Sequence, residues 1–427
     1  IAIIGLGNIG SSLYKYIKKH QSSIFDKTNL IPKIIYLSAR SRNKKRDFKI
    51  ENKLWINDYM LAVKSKNVDV IIELIGGAEG AAKKLVFSAL NNSKHVLTAN
   101  KALMSKYGDQ LSKIAEKNKV NLEYEAAVCG GVPIIRTIKE GLVANKINKI
   151  YGILNGTSNY ILSSMDKDKI SYDTALTNAK NLGYAEANPK SDINGDDVAS
   201  KLNLLTALSF NTFVNNKSTF VEGISHIDHI DINNANKLGY KIKLLGVAES
   251  KSGSISQRVH PTFVKNNSYV AKIDGVLNAV IIDSKPLGQS ILQGEGAGPG
   301  PTVSALMSDL CSVLRGNIKY PFSIPHNKRK KGKFDLIDNK NFSVYLRLDV
   351  YDNNGVLSDI TKIMSKNKIS IKRLIQNPIR SKNYASIIIV THKSKDLFFQ
   401  NFLNQIQNKK YLINKPKIIR IESFEWL

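Results

Sequence analysis

The sequence predicts an α/β chain in three parts: a Rossmann-type dinucleotide domain, a mixed α+β domain and a ferredoxin-like C-terminal domain. Three observations carry this. First, the apolar run Ile1–Ile4 enters Gly5-Leu6-Gly7-Asn8-Ile9-Gly10 and then a helical pattern through Leu13, Tyr16 and Ile17, a phosphate-binding turn in its strand-to-helix setting. Second, short apolar runs alternate with helical patterns up to residue 130 and then give way to strands without crossover helices. Third, the chain from residue 341 onward has its own β-α-β-β-α-β rhythm.

In the first part, residues 1–130, Gly5 permits the tight turn, Gly7 lets backbone approach a pyrophosphate and Gly10 allows close helix packing. Leu6, Asn8 and Ile9 complete this cofactor-binding turn. The next strand, Lys33–Leu37, ends in Ser38-Ala39-Arg40-Ser41, where no Asp or Glu stands to take a ribose 2′-hydroxyl. Arg40 and two hydroxyls suit a 2′-phosphate, so NADP is expected over NAD. NAD stays open, because Arg40 also reads as a solvated loop cation. Val68–Gly77 is a buried parallel strand ending in a glycine turn, followed by a helix through Leu85, Val86 and Leu90. His95–Lys101 is another strand, with Lys101 at the carboxyl end, where open parallel sheets place ligands; the alternative is an ordinary strand-end lysine. Leu122–Pro133 passes from a strand into a Gly-Gly-x-Pro loop which, taken alone, is a tight structural turn.

The second part, residues 131–320, holds the stretch richest in chemistry, Gly183 to Lys201. Asn194 reads as a helix N-cap, Asp196 and Asp197 suit the positive end of the dipole, and an apolar stripe of Val198, Leu202, Leu205 and Ser209 follows. Asp197 and Lys201, four apart, lie beside that stripe and are expected to be partly buried. The plainer reading is a surface ion pair worth about 0.3–0.5 kcal/mol. Residues 148–154, 246–249, 256–261 and 279–282 read as strands, and His226 and His229 as a solvated loop instead of a metal pair. A glycine-dense loop, Gln293–Thr302, precedes a helix over 302–316 that is expected to return to the first domain. Residues 321–340 read as a basic linker. In the tail, 341–427, strands at 343–351, 370–376, 384–391 and 416–423 and helices at 356–366 and 398–407 make a split βαβ unit.

Composition narrows the class. The 427 residues, 42% hydrophobic, suffice for two or three cores. No apolar run is long enough to span a membrane, and the chain opens on Ile1 with neither methionine nor basic leader, so a few residues are expected to precede it. Cys129 and Cys311 make neither a disulfide framework nor a zinc site, and a reducing cytoplasm is expected. The 63 basic against 35 acidic residues give a net charge of +28, but the lysines fall in short separate clusters without interleaved aromatics, which argues against nucleic acid as a partner.

Gly-Tyr-Ala-Glu at 183–186, followed by Pro189, Asp192, Asn194-Gly195, Asp197 and Lys201, resembles the homoserine dehydrogenase signature. Thr98–Leu103 and Gly156–Leu162 resemble further stretches of that family, so the likeness covers essentially the whole chain. It implies reversible hydride transfer between NADP(H) and L-aspartate 4-semialdehyde, giving L-homoserine on the route to threonine, methionine and isoleucine. It further implies that Glu186, Asp192 and Asp197 hold substrate, that Lys201 transfers the proton, and that Lys101 assists at the carbonyl oxygen near the nicotinamide. Gly183 and Gly298 are implied on the cofactor side. Glu125 and the backbones of Val128, Gly130 and Val132 are implied to hold a monovalent cation, sodium being expected, and oxygen ligation suits a loop with one carboxylate and no His or Cys pair. The middle domain is implied to bind substrate and to dimerise, giving a homodimer or higher homo-oligomer. Tyr351–Ile360 resembles the strand-to-helix turn of ACT domains, which bind amino acids as regulators, and threonine is the first candidate effector; Asn354 stands where a proline is usual. Two rival functions remain: another amino-acid-aldehyde oxidoreductase, sharing the first domain, and a non-catalytic amino-acid sensor built around the tail. The tail is expected to fold by itself, and its removal near Pro325 to spare the chemistry while losing inhibition by an end-product amino acid.

Overall fold

The computed structural model describes residues 1–379 and 384–423. Five strands, β1 (Ala2–Ile4), β2 (Tyr36–Ser38), β3 (Val70–Glu73), β4 (His95–Thr98) and β5 (Leu122–Glu123), form a parallel sheet in the order β2-β1-β3-β4-β5. Both faces are covered, as parallel sheets require. Ile1, Ile3 and Ile72 pack with Leu13 and Ile17 on one side, and Ala2, Ile4 and Ile71 pack with Leu85 and Val86 on the other. The helices here are α1 (Asn8–Lys19), α2 (Gln21–Thr28), α3 (Met60–Lys64), α4 (Ala81–Asn91) and α5 (Lys101–Lys117). β4 ends at Thr98, three residues before the lysine expected at its end. Asn100 accepts the Leu103 N–H at 3.0 Å and caps α5, so Lys101 is the first residue of a helix and not the last of a strand.

The middle of the chain supplies β6 (Lys146–Ile153), β7 (Phe220–Val221), β8 (Tyr240–Lys251), β9 (Ser254–Lys265), β10 (Leu277–Lys285) and β11 (Gly288–Glu295), in a mostly antiparallel sheet that runs β11-β10-β6-β8-β9. Its helices are α6 (Ile134–Arg136), α7 (Gly156–Lys167), α8 (Tyr172–Asn181), α9 (Lys190–Asn194), α10 (Asp196–Ser209), α11 (His229–Lys237) and α12 (Pro299–Leu314). α10 packs between β6, β8 and β9 on one side and α5 on the other. Apart from Asp196 and Ser200 its residues are buried, so it is a core helix in place of the one-striped helix expected. Asn194 is not its cap: it closes α9, and Gly195, at φ +89°, joins the two helices. A Cβ there would stand 3.1 Å from Val259 and 3.2 Å from Val221, in a backbone region that disfavours side chains. α12 returns to the first sheet, where Val303, Leu306 and Leu310 join the Ile3 cluster.

The tail contains β12 (Asn341–Tyr351), α13 (Val356–Lys366), β13 (Ile371–Ile379), β14 (Tyr384–Thr391), β15 (Ser394–Lys395), α14 (Asp396–Ile406) and β16 (Lys417–Ile421), with the antiparallel order β16-β12-β14-β13 of a split βαβ unit. It does not stand apart. β16 pairs in parallel with β9, joining both sheets into one. Residues 321–340 are no free tether: Phe322 is buried, Arg329 is buried against Asp109 at 2.8 Å, and Lys330 and Phe334 bridge to Thr212 and Ile255. Among the described residues no helix is long and apolar enough to cross a membrane.

Candidate active site

A cavity of about 680 Å³ opens between the two sheets, where α5, α7 and α10 converge with the glycine loop before α12. It brings together Lys101, Glu186, Asp192, Asp197, Lys201, Gly183 and Gly298, seven of the residues singled out from sequence. Asp197 lies in the first turn of α10, where the helix dipole favours a carboxylate. One of its oxygens contacts the Lys101 ammonium and the other takes Lys201 at 2.8 Å. Lys201 also donates to the Leu154 carbonyl at 2.7 Å. The Lys101 side chain is 41% exposed and that of Lys201 only 11%, so one lysine stands at the mouth and the other in the wall. Glu186 is exposed at the rim.

The charges follow from this geometry. Burial would push the Asp197 carboxyl up, but Lys201, Lys101 and a hydrogen bond from Asn155 outweigh it and hold the group well below the usual carboxylate range. Burial pulls Lys201 down, and Asp197 overrides it, so this lysine titrates above its ordinary value and is an ammonium at neutral pH. The plain surface ion pair is thereby excluded, because both partners are buried. Asp192 moves the other way, upward, because its burial prevails over the Asn155 hydrogen bond.

Several positioning residues escaped the sequence reading. Asn155 donates to Asp192 and to Asp197, each at 2.8 Å, and accepts the Ser158 N–H to cap α7. The signal was an Asn directly before Gly156-Thr157-Ser158, a good N-cap one residue ahead of the stretch singled out. Lys101 is steadied from behind: buried Glu73 accepts Thr98 Oγ1 at 2.5 Å, Thr98 accepts the Asn100 N–H at 3.0 Å, and Asn100 donates to the Gly77 carbonyl at 2.7 Å.

At the glycine-rich turn, a Cβ on Gly5 would lie 2.3 Å from the Leu74 carbonyl and one on Gly10 1.9 Å from that of Gly5, whereas Gly7 has nothing within 4 Å. That open position, beside Asn8 at the start of α1, suits a diphosphate. Leu6 is buried, and Ile9 packs on the same core. An adjoining cavity of about 310 Å³ is lined by Gly7, Asn8, Lys15, Lys44, Lys45 and Arg46 among others. Arg40 is exposed at the end of β2 and does not line it. Arg46 spends its guanidinium on the carbonyls of Leu6, Ser41, Arg42 and Lys44 at 2.9–3.3 Å, tying the basic loop to the turn. At the third location, Glu125 accepts the N–H groups of Ile135 at 2.8 Å and Arg136 at 2.7 Å, and burial still pushes its carboxyl up to about 7. Val128, Gly130 and Val132 are buried beside it, and Gly131 donates to the Glu295 carbonyl at 2.9 Å. No group of three or more His, Cys, Asp or Glu side chains that could hold a metal occurs among the described residues.

A glycine-rich turn of the phosphate-binding pattern on the parallel sheet, together with a buried lysine–carboxylate pair on α10 in a cavity that Lys101 and Gly298 also line, is the combination of a nicotinamide-dependent oxidoreductase. Family models agree in finer terms: one described as homoserine dehydrogenase matches residues 133–311, and one described as the homoserine dehydrogenase NAD-binding domain matches 5–125. The chain is 36% identical over 425 residues to a homoserine dehydrogenase of Helicobacter pylori, with 99% of both chains covered. It is 35% identical over 429 residues to one of Neisseria gonorrhoeae, covering 99% of this chain and 98% of that one. A crystal structure of a homoserine dehydrogenase from Thiobacillus denitrificans superposes with a TM-score of 0.91 at 33% identity, covering 99% of this chain and 97% of the other. The chain belongs to the homoserine dehydrogenase family. Its reaction is the NAD(P)-dependent interconversion of L-aspartate 4-semialdehyde and L-homoserine.

Proposed function

We propose that Lys201 is the proton-transfer residue of this reaction, working in the direction of aldehyde reduction. The observation that supports this is an ammonium in the cavity wall, fixed between Asp197 and a carbonyl and kept protonated by that carboxylate. Bound nicotinamide supplies the hydride. Lys101, more accessible, steadies the carbonyl oxygen as charge develops on it, and Lys201 gives the resulting alkoxide its proton. Glu186 and Asp192 take the substrate ammonium, with Asp197 completing the anionic side of the cavity. Gly183 and Gly298, both at positive φ, let backbone approach the ligands without a side chain between.

NADP is the favoured cofactor, because the loop after β2 carries Arg40, Lys44, Lys45 and Arg46 and no acidic group at the strand end. Replacing Arg40 by Ala, or Lys44 and Lys45 together, is expected to raise KM for NADP by about tenfold and leave KM for NAD nearly unchanged. Steady-state kinetics with both cofactors check this; equal effects would return these cations to a merely solvated role.

A monovalent cation, sodium in our reading, fits the Glu125 loop. The carbonyls of Val128 and Gly130 receive no backbone N–H among the described residues, while that of Val132 accepts Ile134 at 2.7 Å. Such an ion would add to the two N–H groups that partly offset the charge of this buried carboxylate and would order the segment that meets Glu295. Exchanging sodium for tetramethylammonium at constant ionic strength is expected to lower both Tm and rate, and unchanged values would remove the ion from the account. The tail we assign to the ACT type, with an amino-acid effector, threonine first, at the turn 352–356 where α13 begins after Gly355 at φ +86°.

A further inference from the structure

Two consecutive residues of the turn between β6 and α7 hold the two ends of the Asp197–Lys201 pair. The Leu154 carbonyl takes the lysine at 2.7 Å and the Asn155 amide takes the carboxylate at 2.8 Å. The second hydrogen of the same amide goes to Asp192 at 2.8 Å, on α9. Two carboxylates from different helices therefore share one neutral donor group. The Asn155 carbonyl oxygen is fixed in turn by the Ser158 N–H at 2.8 Å and hydroxyl at 3.0 Å, so the amide cannot flip without losing its cap. We propose that Asn155 is a positioning residue for the reaction: it keeps Asp192 and Asp197 apart in role, turning Asp197 to the proton-transferring lysine and leaving Asp192 its second oxygen for the substrate ammonium. The inference rests on the assignment of Lys201 and Asp197 given above.

Both carboxylates are favoured in their charged form by this donor. The charged groups facing them are Lys101 on α5, Lys201 on α10 and Glu186 and Glu295 around the cavity, with the Cys129 thiol behind. Removing the donor makes both carboxylates easier to protonate, so the acid limb of the rate profile moves to higher pH. Two variants separate this from mere helix capping, because Asp and Ser are both good N-caps. Asn155→Asp keeps the shape and the cap but replaces the shared donor with a third negative charge. Asn155→Ser keeps the cap and reaches neither carboxylate. For both, kcat/KM for the semialdehyde is expected to fall by about a hundredfold, and the acid limb to rise by about one pH unit, with the Tm of Asn155→Ser within about 3 °C of wild type. A kcat/KM for Asn155→Ser within about threefold of wild type, or a lowered rate with the acid limb unmoved, overturns the proposal. If Asn155→Asp fails to fold, Asn155→Ser decides alone. Lys201→Met in parallel distinguishes the two levels: an active Lys201→Met defeats the underlying assignment, whereas an inactive one beside an unaffected Asn155→Ser defeats only the role of Asn155.

Discussion

Lys201→Met is expected to lower kcat for semialdehyde reduction by about a thousandfold while leaving the KM for NADPH close to that of the wild type. Methionine fills nearly the same space and stays apolar on a helix whose neighbouring residues Ala199 and Leu202 are themselves buried. Asp197 is not orphaned by the change, since Lys101 and Asn155 still hold it. The loss is therefore one of chemistry more than of folding. The pH dependence adds a second readout. A lysine titrating above its ordinary value, roughly 10.4, stays an ammonium across the neutral range, so reduction is expected to be flat there and to decline only at strongly alkaline pH. With Lys201 as the proposed proton carrier, oxidation of homoserine would need its neutral amine and should rise with pH over the same range. In Lys201→Met that rise should vanish. Activity within about tenfold of wild type, or an unchanged alkaline rise, would show that another group carries the proton.

What the sequence made legible were the features that depend on near neighbours. The Gly5–Gly10 turn needs only its own strand and helix, and the Asp197–Lys201 pair only helical spacing. Asn155 was missed because its partners lie 37 and 42 residues away and meet it only once β6 and α10 have packed. Asn194 was read as a cap because the residue type is right; the left-handed turn at Gly195, which splits one helix into two, depends on Val221 and Val259 pressing against it. The basic stretch around Arg329 looks like a tether by composition. It is buried because Asp109 and the ring of Phe322, 3.9 Å from the guanidinium, are waiting for it in the fold.

The same long-range packing changes what tail removal should do. Arg347 of β12 meets Asp231 at 2.8 Å, Arg420 of β16 meets Glu222 at 2.7 Å, and Glu422 meets Arg258 at 2.8 Å, while Tyr345 stacks on Phe263 at 4.7 Å. Ending the chain at Pro325 would strip Arg347 and Tyr345 from buried Asp231, leave buried Arg258 with Glu249 as its one remaining carboxylate, and uncover the edge of β9. An orphaned buried charge costs about 3–5 kcal/mol, and that of Asp231, added to the lost Tyr345–Phe263 stacking and the half-stripped Arg258, is a large part of the roughly 5–15 kcal/mol that holds a whole domain. The truncated chain is therefore expected to be insoluble, or to melt more than about 10 °C below the full one, in place of the intact chemistry that a free tether would allow. Neutralising the orphan, with Asp231→Asn in the shortened chain, should recover part of the loss if the broken ion pair is its cause. In the full chain the weld would give any effector bound at the tail a short route to the site, because Val259 of β9 lies against Gly195, where α10 begins. Initial rates with and without millimolar threonine test that route, and a full-length enzyme indifferent to threonine would leave the tail a structural partner alone. A shortened chain that is soluble, melts with the wild type and reduces the semialdehyde at full rate would show instead that the shared sheet and its ion pairs contribute little to holding the catalytic half together.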